Sequence, residues 1–242
     1  MWYELRRMLF GKGFLASLFL CIVGIVLGTS WPDTKNVLDT GQFLSLEQAA
    51  LGSKVVCYLL PVTAVLPWSD SFLSEWKSGF LKAALPRIGR RNYVENKILA
   101  VALGGFLSWL GAGAAVMFCY FLVFFPLEKR GIPGADDVLG VLLPLLRCGL
   151  IASIFASFGG ICGALGGSAY LAFGIPFVGY YFCMILQERY FPDALWLYPP
   201  QWISGTANWG RNQEGLWMFL FLALAVSMGF HAAVLYGKVE AQ

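Results

Sequence analysis

Residues 98–125 contain no charged side chain in 28 positions, and that run limits the fold more than any other feature. As a helix it would extend about 42 Å, longer than the roughly 30 Å of hydrocarbon that a spanning helix must cross, so it tilts or projects into water. The rest of the chain agrees with lipid as its solvent. Of 242 residues, 58% are hydrophobic, 13% are charged, and the mean hydropathy is +0.68. An ordinary soluble domain carries about 25% charged residues, enough to cover a water-facing surface, and this chain carries about half that.

Five further segments have spanning length and character, giving an all-α polytopic membrane protein with about six transmembrane helices in one domain over 1–242. Residues 1–13 form an amphipathic lead with Arg6, Arg7 and Lys12. The spans are expected at about 14–31, 49–68, 98–125, 141–165, 168–187 and 214–237. A basic lead before an apolar core also describes a signal peptide, but the later spans favour a membrane helix. Residues 30–48 read as a polar loop. The second span carries Pro61 and Pro67, which membrane helices tolerate where neighbours satisfy the freed carbonyls. The fourth and fifth spans are separated only by GALGGS and form a tight hairpin.

Charge distribution supplies an orientation. With both termini cytoplasmic, the inner side carries Arg6, Arg7, Lys12, Lys77, Lys82, Arg87, Arg90, Arg91, Lys97 and Lys238 against Glu4, Asp70, Glu75, Glu95 and Glu240, a net +5. The outer side is then −2. The positive-inside rule favours this arrangement, with an even number of spans in a cytoplasmic membrane. The formal charge of +3 is too small to suggest nucleic acid. All six cysteines fall in apolar stretches without C-x-x-C or metal spacing and read as small packing residues. No P-loop, H-E-x-x-H or G-x-S-x-G motif occurs, so no catalytic residue, cofactor or metal ligand is expected in the chain. The single histidine, His231, reads as a packed or interfacial side chain.

The most informative polar segment is 69–97. Within 72–85, Phe72, Leu73, Trp76, Phe80 and Leu81 recur at helical spacing, with Glu75, Lys77, Ser78 and Lys82 elsewhere on the helix. That predicts an amphipathic helix too short and too charged to span, followed by Pro86 and the basic run Arg87, Arg90 and Arg91. It either lies on anionic lipid at the inner surface or docks a soluble partner.

Three other features carry weaker readings. The outer segment 188–213, with Trp196, Tyr198, Trp202 and Trp209, suits an aromatic interfacial belt. Pro199 and Pro200 would break a helical hairpin there at its turn. Two cations, Lys54 and Arg147, sit near the outer ends of spans and either snorkel outward or face a polar vestibule, with Glu188 as a candidate partner. Gly159, Gly163 and Gly167 make two overlapping G-x-x-x-G steps, and Gly111, Gly113 and Ala115 another small face, for close helix packing. The fifth-span aromatics Tyr170, Phe173, Phe177, Tyr180 and Tyr181 either pack or line a route for an amphipathic substrate.

The segment EWKSGFLKAALPRIGRRNYVENK, Glu75 to Lys97, resembles the loop after the second span in type-2 ABC exporter permeases. So do the lead WYELRRMLFGKGF, the six-span layout and the outer LWLYPPQWI. The resemblance covers nearly the whole chain. It implies a permease subunit whose coupling helix docks a separate ABC ATPase, with ATP and Mg bound by that partner. A second permease subunit, identical or related, would complete the pathway within membrane lipids. The implied docking residues are Glu75, Lys77, Gly79, Lys82, Arg87, Arg90, Arg91 and Tyr93. Pathway or vestibule residues would be Arg147, Lys54, Glu188, Phe173, Phe177, Tyr180, Trp196 and Trp202, and outer re-entrant helices would roof the exit.

Two readings from other classes stand beside it. One is a membrane enzyme on lipid-linked substrates, for which Glu128, Asp136, Asp137, Asp193 and Arg189 are the available groups without a recognisable spacing. The other is a non-catalytic scaffold or immunity protein.

Overall fold

A computed structural model describes residues 2–31, 38–129, 131, 133–210 and 213–240. Among these residues there are eleven α-helices and no strand, only a bridge between Leu38 and Glu128. The helices are α1 (Trp2–Leu9), α2 (Lys12–Gly28), α3 (Gln42–Leu51), α4 (Lys54–Val65), α5 (Ser71–Lys77), α6 (Phe80–Ile88), α7 (Arg90–Phe124), α8 (Ala135–Gly166), α9 (Ala169–Tyr190), α10 (Pro199–Ser204) and α11 (Glu214–Glu240).

Four helices, α7, α8, α9 and α11, are each long and apolar enough to cross a membrane. Two bent pairs, α1–α2 at 56° and α3–α4 at 65°, raise the number to six if each pair is one span. The chain is a multi-pass membrane protein. In water such apolar helices would expose Phe118, Leu122, Val178, Phe182, Phe221, Leu222 and Phe230, all well exposed here; in lipid those faces cost nothing.

Helix α8 is the central element, packed on α7, α11, α9 and α4. Small residues permit that approach. A Cβ on Gly159 would lie 2.8 Å from the Ala172 carbonyl, and one on Gly163 would lie 2.9 Å from the Ala172 side chain. The G-x-x-x-G face is therefore filled by α9 of the same chain. Gly167 does something else: it takes φ +64 and turns the chain between α8 and α9.

The second expected span differs most. Its N-terminal part is α3, which starts at Gln42 in what reads as polar loop, and the chain bends at Gly52–Ser53 before α4. Phe43, Leu44, Leu46 and Ala50 bury one face of α3, so tertiary packing makes a helix of a sequence too polar to register as one. Ser53 caps α4 by accepting from the Val56 amide at 3.3 Å. Residues 32–37 of the expected loop and 211–212 of the aromatic segment lie outside the described residues.

The amphipathic helix expected over 72–85 is two helices. Gly79 at φ +73 breaks it between α5 and α6, and Pro86 lies inside α6 instead of ending it. Helix α7 begins at Arg90, eight residues ahead of the apolar run. Pro199 and Pro200 open α10, where the missing amide hydrogens would be unpaired in any residue, and they stand at the break between the short 3-10 helix Leu195–Leu197 and α10. The end where α1, α5 and α6 meet the start of α7 and the end of α11 is termed proximal below; the opposite end, with α3 and α10, is distal.

Candidate functional site

The proximal end is organised around one buried carboxylate. Glu75, on α5, is 2% exposed. Its oxygens accept from the Tyr93 hydroxyl at 2.6 Å and from Arg7 at 2.5 Å, and it pairs with the Lys97 ammonium at 2.9 Å. Lys97, 1% exposed, also reaches Glu4 at 3.1 Å. The Trp68 ring lies beneath both cations, 5.5 Å from the Arg7 guanidinium carbon and 5.6 Å from the Lys97 nitrogen. Residues from α1, α5, α7 and the α4–α5 connection thus share one polar network under the apolar side chains Phe72, Leu81, Val94 and Leu235.

The expectation that Glu75 and Tyr93 present themselves to a partner is corrected by this burial. Glu75 is spent inside the chain, and Tyr93 spends its hydroxyl on Glu75. The remaining residues of that set, Lys77, Gly79, Lys82, Arg87, Arg90 and Arg91, are exposed, and with Phe80 and Ile88, 46% and 45% exposed, they form a basic tip with two apolar side chains. Arg91 pairs with Glu95 on its own helix at 2.7 Å.

Burial by itself would push the Glu75 carboxyl up, but Lys97, the Tyr93 hydroxyl and Arg7 outweigh it and hold the group below the usual glutamate range. A depressed folded-state pKa contributes stability above the unfolded value, lost as pH falls through the folded one. The unfolding midpoint in neutral detergent is therefore expected to lose this contribution as pH falls from about 4.3 downward. Glu75→Gln should flatten that part of the curve, and an unchanged acid limb in the variant would refute the assignment.

At the distal end Arg147, on α8, is 3% exposed, so it does not snorkel outward. It donates to the carbonyls of Ile203 and Ser204 at 3.4 and 3.3 Å, at the C-terminal end of α10, and to the Gln213 side-chain oxygen. Its guanidinium carbon stands 5.5 Å from the centre of the Trp217 ring. Gly205 takes φ +60 against it, and a Cβ there would collide with the guanidinium. Glu188 is not its partner: that carboxylate is exposed and accepts from Tyr198 at 3.3 Å. Among the described residues no carboxylate lies within 4.0 Å of Arg147.

The other expected pathway residues do not converge. Lys54 is exposed at the start of α4; Phe177 and Trp196 are exposed, and Phe173 and Trp202 are half-buried. Tyr180 is fully buried with its ring 5.3 Å from that of Phe155. Two carboxylates with catalytic potential are in use as helix caps. Glu128 accepts from the Gly41 and Phe43 amides at 2.9 and 2.8 Å, capping α3 from another segment, and Asp137 accepts from the Gly134 amide at 2.9 Å at the start of its own α8. Among the described residues no cluster of three potential metal ligands occurs.

Glu47 was not singled out by sequence. It lies on α3, fully buried, and neither carboxylate oxygen has a hydrogen-bond partner among the described residues. Glu4, Arg7 and Trp68 were also missed as members of the proximal network. Their only sequence signal is that Tyr93 and Lys97, four residues apart, share a helix face just ahead of the apolar run.

The chain matches no protein-family model and no curated protein.

Proposed function

We propose that this chain is the membrane subunit of an ATP-driven exporter of the type-2 ABC kind, with the basic α5–α6 tip facing the cytoplasm and docking a separate ATPase. The observation that carries the reading is the contrast within one segment. Lys77, Lys82, Arg87 and Arg90 are exposed, while Glu75 at the root of the same segment is tied to α1 and α7 through Arg7 and Lys97. A docking element that receives force needs both parts: an accessible face for the partner, and a rigid root that moves the helices when the face is pushed. The positive-inside bias supports the same sidedness. ATP and Mg2+ belong to the partner on this reading, and a second permease copy or relative completes the pathway.

Exposed charges of this sort steer and orient a complex more than they hold it. Reversing three of them sets like charges against a complementary acidic face, which is repulsive enough to reduce capture sharply. Where a gene for a P-loop ATPase adjoins this one and the two are co-expressed, the combined Lys82→Glu, Arg87→Glu, Arg90→Glu variant is expected to retain less than a tenth of the ATPase that wild type co-purifies, with its thermal midpoint unchanged. Equal capture would remove the docking assignment. Absence of any such ATPase partner would favour a membrane scaffold.

A further inference from the structure

We infer that the distal cavity beside Arg147 binds the anionic head group of a single-chain amphiphile. Arg147 opens onto a cavity of about 330 Å³, which Gln48, Ser204, Gln213, Leu139 and Leu143 also line. A second cavity, about 410 Å³, adjoins it and shares Gln48 and Ser204. Both lie at the lower end of the range for small-molecule sites, about 300–1,000 Å³.

The charge balance points to an anion. The guanidinium is buried, and its protein acceptors are neutral: two carbonyls and an amide oxygen. A buried cation ordinarily has a counter-charge, and a guanidinium presents a planar fork suited to carboxylate or phosphate oxygens. Arg147 Nε is buried without a hydrogen-bond partner among the described residues, so one donor of the guanidinium is unspent. Pro144 adds polarity to the wall. It lacks an amide hydrogen, which frees the carbonyl of Gly140, and Gly140 faces Gln48.

The apolar side of the same cavity argues for a tail. Leu143 and Leu139, one and two turns of α8 before Arg147, form an apolar strip leading out of the cavity to the outside of the bundle, where Leu139 is 46% exposed, so a chain anchored at Arg147 can lie along them. Leu139 and Leu143 are the long apolar side chains lining the Arg147 cavity, a single strip that matches a single chain. The ligand class is thus one anionic oxygen head group on one apolar chain, and this holds independently of whether an ATPase docks at the other end.

The full chain, purified in a maltoside detergent, is to be titrated calorimetrically with dodecyl phosphate, dodecanol, inorganic phosphate and phosphatidylglycerol. Dodecyl phosphate is expected to bind saturably and at least tenfold more tightly than dodecanol. Arg147→Gln should weaken it tenfold or more, and Arg147→Lys less. Gln48→Leu changes an exposed residue at the cavity rim, keeps the fold, and should weaken binding severalfold. Unchanged affinity in Gln48→Leu and Arg147→Gln, or equal binding of dodecanol, would overturn the site. Inorganic phosphate binding as tightly as dodecyl phosphate would overturn the tail, and preference for phosphatidylglycerol would overturn the single chain. Because each titration uses the isolated chain, a failed ATPase interaction leaves these outcomes readable.

Discussion

Glu75→Ala is expected to destabilise the protein by about 3–5 kcal/mol, because it removes one member of a buried pair and leaves Lys97 as an under-compensated buried cation. The geometry decides the size. Glu75 and Lys97 are 2% and 1% exposed and 2.9 Å apart, so neither charge can turn to water when the other is lost. Arg7 can, since 43% of its side chain is accessible. At roughly 2–4 °C per kcal/mol for a chain of this size, the unfolding midpoint should fall by roughly 6–20 °C. A control pair sits a few residues away. Arg91 and Glu95 are 83% and 49% exposed, and Glu95→Ala should cost less than about 1 kcal/mol. The diagnostic variant is the double one. Glu75→Leu with Lys97→Met removes both buried charges and should recover most of the single-variant loss, since well-packed apolar residues often match a buried ion pair. Additive losses in the double variant would show that the two residues act separately.

The stability arrangement bears on the proposed force path. If the α5–α6 tip is pushed by a partner, the displacement reaches α1 through Arg7 and α7 through Lys97. Glu75→Ala should therefore leave capture of the ATPase intact while uncoupling transport, which separates the root of the segment from its docking face.

Which parts of this could be read from the chain follows from how local each signal is. Residues 98–125 identify a span because hydropathy is a property of neighbours in sequence, and α7, α8, α9 and α11 are all legible this way. Arg147 is legible as unusual for the same reason: a lone cation among leucines is visible without coordinates. Its acceptors are not, because Ile203, Ser204 and Gln213 arrive from a segment that has no spanning pattern. Glu75 was legible as polar on an amphipathic helix, and helical spacing puts it on the wet face. Burial comes from Arg7 and Lys97 on other helices, which periodicity within 72–85 cannot register. The break at Gly79 is hidden as well, since the apolar spacing continues through it. Helix α3 was unreadable because Gln42, Ser45, Glu47 and Gln48 look like loop until Phe43, Leu44 and Leu46 find a core.

Glu47 lends α3 its second expected result: Glu47→Met should stabilise the protein. The carboxyl is fully buried and both oxygens lack a hydrogen-bond partner among the described residues, so folding strips its water without replacing it. An unsatisfied buried polar group costs about 1–3 kcal/mol, and methionine is flexible enough to fill the same volume with apolar contacts. The midpoint should therefore rise by roughly 2–12 °C on the scale used above. Glu47→Gln separates burial from shape, because its amide is as unsatisfied as the carboxyl; it should gain far less than methionine. A loss of stability in Glu47→Met would mean that the carboxyl has a partner in the folded protein. A gain would raise the question of why a costly group is kept, and the position suggests where to look: Gln48, the next residue, lines both distal cavities. Natural chains retain destabilising polar groups chiefly where activity uses them. Stabilised Glu47→Met protein that has also lost binding of dodecyl phosphate would place Glu47 within the functional reach of the Arg147 site.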